Sequence, residues 1–130
     1  MIVDTSAIVA IVAREEGWQS LVEQLELASS VSMSSVSILE LTIVLGSERF
    51  GLSVSEVHGL LSAIGVAAID FTAAHEALAS DAHALYGKGK HPARLNFGDC
   101  IAYASARLAR DTLLFVGDDF SQTDLASYAR

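Results

Sequence analysis

Met1-Ile2-Val3-Asp4-Thr5-Ser6-Ala7-Ile8 opens the chain, and its reading decides the fold. Met1-Ile2-Val3 has the all-apolar character of a short strand covered on both faces, and it stops at an acid, Asp4. Residues 6–14 are then expected to turn into a helix, with Ser6 as its cap. The same strand-then-helix unit recurs downstream. A helix is predicted over 17–28, with Trp18, Leu21, Val22, Leu25 and Ala28 along one face. A short strand follows at 30–32, and then a helix over 35–49 capped by Ser34 or Ser35. Ser53 or Ser55 opens a helix that runs to Ile64 and ends at Gly65. Residues 66–69 form the next strand, closed by Asp70, and Thr72 caps a helix over 73–86. Asn96 or Gly98 leads into a helix to Arg110, and a last strand at 113–116 is stopped by Gly117. Short apolar strands alternating with helices define an α/β domain in three layers, a mostly parallel sheet with helices on both faces.

Composition agrees with one such unit over residues 1–130. The chain has 13.7 kDa, 52% hydrophobic and 18% charged residues, which excludes a disordered chain. Mean hydropathy is +0.43, yet no apolar run is long enough for a membrane span, so an apolar face kept for a partner is expected. Net charge is −8, the wrong sign for holding nucleic acid by phosphate neutralisation alone. A single cysteine, Cys100, and the lack of a basic leader before Arg14-Glu15-Glu16 point to a reducing, cytoplasmic address.

Several acids stand where surface acids rarely do. In a parallel sheet, ligands collect at the carboxyl ends of the strands, where Asp4 and the pair Asp118-Asp119 follow apolar strands directly. Each admits a bland reading as well: a helix cap for Asp4, a turn for Gly117-Asp118-Asp119. Glu40 shares a helical stripe with Val36, Ile43 and Val44, where an unpaired carboxylate costs desolvation. Only two lysines and six arginines exist to pair with it. Asp99 opens a helix, which the helix dipole alone would explain, but Gly98 before it permits close approach of another group. The histidines His58, His75, His83 and His91 are scattered and show no zinc spacing, and there is no glycine-rich phosphate loop. Cys100 has no basic activator and reads as a small buried hydrophobe.

If Asp4, Glu40, Asp99 and one or both of Asp118 and Asp119 converge, their repulsion requires a counter-charge. All-oxygen ligation suits Mg²⁺ or Mn²⁺, which serve metal-assisted phosphodiester hydrolysis. Lys88, Lys90, His91 and Arg94 sit just before Asp99 in the irregular stretch around Pro92. They are candidates for holding substrate phosphate, or else a solubilising loop.

These residues, taken together, resemble the PIN domain, specifically a VapC-type toxin of a bacterial toxin–antitoxin pair. Ile2-Val3-Asp4-Thr5-Ser6-Ala7 resembles the family's opening motif, and Glu40 takes the place of its helix-borne acid. Leu95-Asn96-Phe97-Gly98-Asp99-Cys100 and Gly117-Asp118-Asp119-Phe120-Ser121-Gln122-Thr123-Asp124 resemble its two later motifs. No departure from the motif set stands out. The resemblance implies a Mg²⁺- or Mn²⁺-dependent endoribonuclease of the bacterial cytoplasm, a homodimer, neutralised by a small VapB-type antitoxin. It implies Asp4, Glu40, Asp99 and Asp119 as catalytic metal ligands, with Ser6 hydrogen-bonding inside the site. Asp118 fills a variable position, and which of Asp118 and Asp119 faces the metal stays open. The antitoxin groove is expected between the early helices, near residues 8–12 and 36–44. The rival is a non-catalytic module of the same fold that binds RNA or protein. An aspartyl-phosphate enzyme is disfavoured, because Ser6 stands where its second Asp belongs.

Overall fold

The structure, a computed structural model, describes residues 1–127. The one-domain expectation for 1–130 therefore includes positions 128–130, which lie outside the described residues. Elements follow in the order β1 Ile2–Val3, α1 Thr5–Ala13, α2 Trp18–Leu27, β2 Val31–Ser34, α3 Ser35–Leu45 and α4 Val54–Ile64. Then come β3 Val66–Ile69, α5 Ala73–Tyr86, α6 Phe97–Ala109, β4 Leu113–Leu114, and 3-10 turns at Phe120–Gln122 and Asp124–Ser127.

All strand pairs are parallel, in the order β3-β2-β1-β4, with Ile2 opposite Ser32 on one side and Leu113 on the other. The chain builds outward from β1 to β3, then returns past α5 and α6 to place β4 on the other flank of β1. The point of reversal thus lies between β1 and β4. Ligands bind at such a point, at the strands' carboxyl ends.

Alternation along each short strand makes the three layers. Val3, Met33 and Leu114 point to one side, into a core with Ile8 of α1, Leu25 of α2, Leu41 and Leu45 of α3, and Val57 and Leu61 of α4. Ile2 and Leu113 point to the other, against Ala79 and Ala82 of α5 and Ala102 and Ala106 of α6. Among the described residues, no helix is long and apolar enough to cross a membrane.

Four boundaries differ from the sequence-based expectation, each for a local reason. Asp4, not Ser6, caps α1, its carboxylate accepting the Ser6 N–H at 3.1 Å. β2 runs to Ser34, because the Ser34 hydroxyl accepts from the Val36 N–H at 3.2 Å and lets strand pass straight into helix. α3 ends at Leu45, four residues early, because the 46–51 turn doubles back and the Leu52 N–H reaches the Leu45 carbonyl at 2.8 Å. β4 stops after Leu114, because the Val116 N–H turns away from the ladder to the Ser6 hydroxyl at 3.1 Å.

Candidate active site

Asp4 reaches the reversal point because β1 ends there, and it is buried, at 5% exposure. Its Oδ2 accepts both from the Ser6 N–H and from the Ser6 hydroxyl, the latter at 2.5 Å. Ser6 Oγ in turn accepts from Val116 N–H at 3.1 Å. One hydroxyl thereby joins the end of β1 to the segment after β4.

Asp99 stands in the first turn of α6, locked by a reciprocal cap. Asn96 Oδ1 accepts from the Asp99 N–H at 2.9 Å, and Asp99 Oδ2 accepts from the Asn96 N–H at 3.0 Å. Glu40 projects from α3 against this same turn. A Cβ built on Gly98 would stand 2.9 Å from both Cδ and Oε1 of Glu40 and collide with Oε2. Gly98 is thus a cradle for the Glu40 carboxylate. That is the close approach which a glycine before Asp99 allows.

Asp119 starts the 3-10 turn after β4, with the following Phe120 buried against Phe115 at 5.0 Å between ring centres. It shares a shallow depression with Lys88, Arg94 and Asn96.

Charge links these acids through Asp99. Burial pushes the Asp4 carboxyl up to about 6 against its Ser6 hydrogen bonds, and the Asp99 and Glu40 carboxylates push it the same way. Asp99 is raised by burial, opposed by Asn96, and raised further by Asp119 and Glu40. Asp99 is thus the common neighbour: Asp4 feels Asp99 and Glu40, and Asp119 acts on Asp99. Asp118 is exposed; its backbone carbonyl accepts from the Ser121 hydroxyl, and its charge is not among those acting on Asp4 or Asp99.

These carboxylates stand apart: among the described residues, no three His, Cys, Asp or Glu side chains are grouped as they would be around a metal ion. Both observations fit carboxylates that repel without a counter-charge. The donor set is all oxygen and anionic, which suits a hard divalent cation.

The basic stretch is a structured loop rather than an irregular one. Lys88 N–H donates to Leu95 O at 3.0 Å and Leu95 N–H to Tyr86 O at 2.9 Å, closing its neck. Inside, Ala93 is buried and His91 Nδ1 accepts from its N–H at 3.0 Å. Lys88 and Arg94 are thereby held beside Asp119, while Lys90 is exposed on the same loop outside that depression.

An apolar groove adjoins the site, lined by residues of 36–44 as expected but not by 8–12. Ile8 is wholly buried in the core. The groove instead runs between α3 and the start of α6, lined by Val36, Leu39, Ile43, Phe97 and Ile101 together with Glu40. Cys100 is buried as expected, and burial and then Asp99 push its thiol up to about 11.

Asn96 was not singled out by sequence reasoning as part of the site. Its signal is the Asn-x-x-Asp spacing of a capping box. Thr5 was missed too: its buried hydroxyl donates to Ser37 O at 3.2 Å and sets α1 against α3.

Comparison with known proteins gives the family. The family model described as PIN domain matches residues 1–125. Ribonuclease VapC36 of Mycobacterium tuberculosis is 46% identical over 96% of this chain and 91% of its own length. Ribonuclease VapC42 of the same species is 43% identical over 96% of each chain. A chain from the solved "Toxin-antitoxin complex from Klebsiella pneumoniae" superposes with a TM-score of 0.72 over 95% of this chain and 92% of that one. At 15% identity, that likeness is one of fold. With its motifs, parallel sheet and cluster of acids at the reversal point, this chain belongs to the PIN-domain family.

Proposed function

We propose that the chain is a divalent-metal-dependent endoribonuclease, the toxin of a toxin–antitoxin pair, acting in the bacterial cytoplasm. The observation that carries this is the approach of Asp4, Glu40 and Asp99 near the β1/β4 reversal point, with Asp119 acting on Asp99 and none of the four in a salt bridge among the described residues. The names of the VapC relatives support the substrate class.

Asp4, Glu40, Asp99 and Asp119 would hold Mg²⁺ or Mn²⁺, with Ser6 and Asn96 fixing the Asp4 and Asp99 carboxylates. Asp118 is left outside this set. When bound, the ion supplies an activated water at neutral pH and charge stabilisation for phosphodiester hydrolysis. The protein's own part is positional. Ser6 keeps the Asp4 oxygen turned to the β4 side, Gly98 leaves room for Glu40, and Lys88 and Arg94 offer positive charge to phosphates on the Asp119 side. Lys90, exposed on the same loop, adds to the long-range attraction of RNA.

The groove beside Glu40 supports a partner that lays apolar side chains along α3 and α6, as a small VapB-type antitoxin would. A homodimer is part of the same proposal.

The test is cleavage of a structured RNA by purified protein with Mg²⁺ or Mn²⁺, with and without a chelator. Metal-dependent cleavage lost in Asp99→Asn supports the proposal. Tight RNA binding with no cleavage under any metal would favour the rival, a non-catalytic module.

A further inference from the structure

The last acid of the closing motif, Asp124, is held by two side chains of α6. Tyr103 Oη donates to Asp124 Oδ1 at 2.7 Å, and Arg107 donates to Asp124 Oδ2. Tyr103 is itself buried, at 6% exposure, so its hydroxyl pays a desolvation cost that Asp124 offsets. Both donors sit on α6 at steps of four from Asp99. Asp99, Tyr103 and Arg107 therefore share one stripe of a single helix.

The segment between Asp119 and Asp124 transmits this hold. Phe120 is buried, the Thr123 hydroxyl donates to Phe120 O at 2.7 Å, and the Leu125 N–H returns to Thr123 Oγ1 at 3.2 Å. Asp119 thus opens a short, internally hydrogen-bonded piece whose other end is fastened to α6. Asp99 is carried by the same helix.

We propose that Asp124, gripped by Tyr103 and Arg107, is a positioning residue for Asp119: it docks the 119–125 segment on the α6 stripe that bears Asp99, and so sets the separation of two metal-holding acids. A solvent-facing ion pair alone contributes little to stability. The arrangement has a use because it fixes where a distant carboxylate stands. The proposal rests on reading the four acids as a metal site.

Tyr103→Phe tests it with the least disturbance, since only the hydroxyl is lost; Asp124→Ala is the stronger variant. Mn²⁺ affinity is measured by calorimetry alongside RNA cleavage, in the wild-type and in the Asp119→Asn background. Support is a loss of about tenfold in Mn²⁺ affinity for Tyr103→Phe, of the size seen when partners of metal ligands are removed, with melting temperature little changed. In the Asp119→Asn background the same substitution should add almost nothing, because its effect passes through Asp119. An undiminished Mn²⁺ affinity in Tyr103→Phe and Asp124→Ala, or the full loss persisting without the Asp119 carboxylate, overturns the proposal. If Asp4→Asn and Asp99→Asn also bind Mn²⁺ normally, the metal-site reading itself has failed. If only they lose it, the positioning role alone has failed.

Discussion

Glu40 and Gly98 meet more closely than a side chain at 98 would permit, and that contact makes a sharp prediction. Gly98→Ala places a methyl against the far end of a flexible glutamate, so Glu40 swings aside instead of the helices parting. Alanine also favours the helix over glycine by up to about 1 kcal/mol. The expected outcome is a melting temperature held or raised, with cleavage down by about tenfold or more, as for displaced metal-site groups. Calorimetric melting and an RNA cleavage assay read the two effects separately, and unimpaired cleavage counts against the role of Glu40. Asp4 gives a second prediction, for metal-free protein. Its carboxyl is raised from 3.8 to about 6. Below about pH 4 it is protonated folded or unfolded, and stability does not depend on it. Between about pH 4 and 6 the unfolded chain ionises first, so stability falls as pH rises, by on the order of 3 kcal/mol in all. Above that window the penalty is constant, and Asp99 acts in the same direction. Asp4→Asn keeps a good helix cap while removing the charge. In chelator it should melt several degrees above wild type at pH 7.5 and lose the fall between pH 4 and 6. A wild-type stability that rises through this window contradicts the account.

At the scale of the element, α6 carries the most. Its cap holds Asp99, its second residue makes room for Glu40, and its outer stripe grips Asp124. Asn96→Ala removes the side-chain half of the capping box and should cost about 1 kcal/mol. Ser53→Ala at α4, whose Ser53/Glu56 box is equivalent, should cost a similar amount. Only the first should also lower RNA cleavage, because only that cap orients a site acid; equal cleavage by the two variants would contradict this. The positions of the four candidate acids, at strand ends, within a helix and at a helix start, were legible in the sequence. Asp4 and Asp119 directly follow apolar runs, Glu40 interrupts an apolar stripe, and Gly98 precedes Asp99. What was not legible depends on partners far along the chain. Whether β4 stops at Leu114 is decided by a hydroxyl at position 6, and the end of α3 by a backbone contact from Leu52. In Ser29-Ser30-Val31-Ser32-Met33-Ser34-Ser35 the alternating small residues mark no boundary, so β2 was placed too early. The groove was half legible: residues of 36–44 line it as expected, while Ile8, which looks like Ile43 in sequence, is sealed in the core and its place is taken by Phe97 and Ile101.

On the whole molecule, a net charge of −8 sets the terms on which RNA can be approached. In the proposed function, phosphate contacts centre on the patch where the 87–95 loop holds Lys88 and Arg94 beside Asp119. Each phosphate contact adds roughly 0.7 to the salt slope of binding to a single strand. Lys88→Ala with Arg94→Ala should therefore flatten the salt dependence of RNA binding by about 1.4 on that scale and leave Mn²⁺ affinity unchanged. Binding measured from low to moderate salt decides this, and an unchanged slope would move the RNA path elsewhere. The reversal of strand order between β1 and β4 is where the proposed function seats divalent metal, held by Asp4, Glu40, Asp99 and Asp119. The most direct measurement is the anomalous scattering of Mn²⁺ in crystals soaked with that ion. A peak bounded by Asp4, Glu40, Asp99 and Asp119, absent in Asp99→Asn, is the predicted result. Saturating Mn²⁺ with no peak there, or a peak held by other residues, would contradict the account.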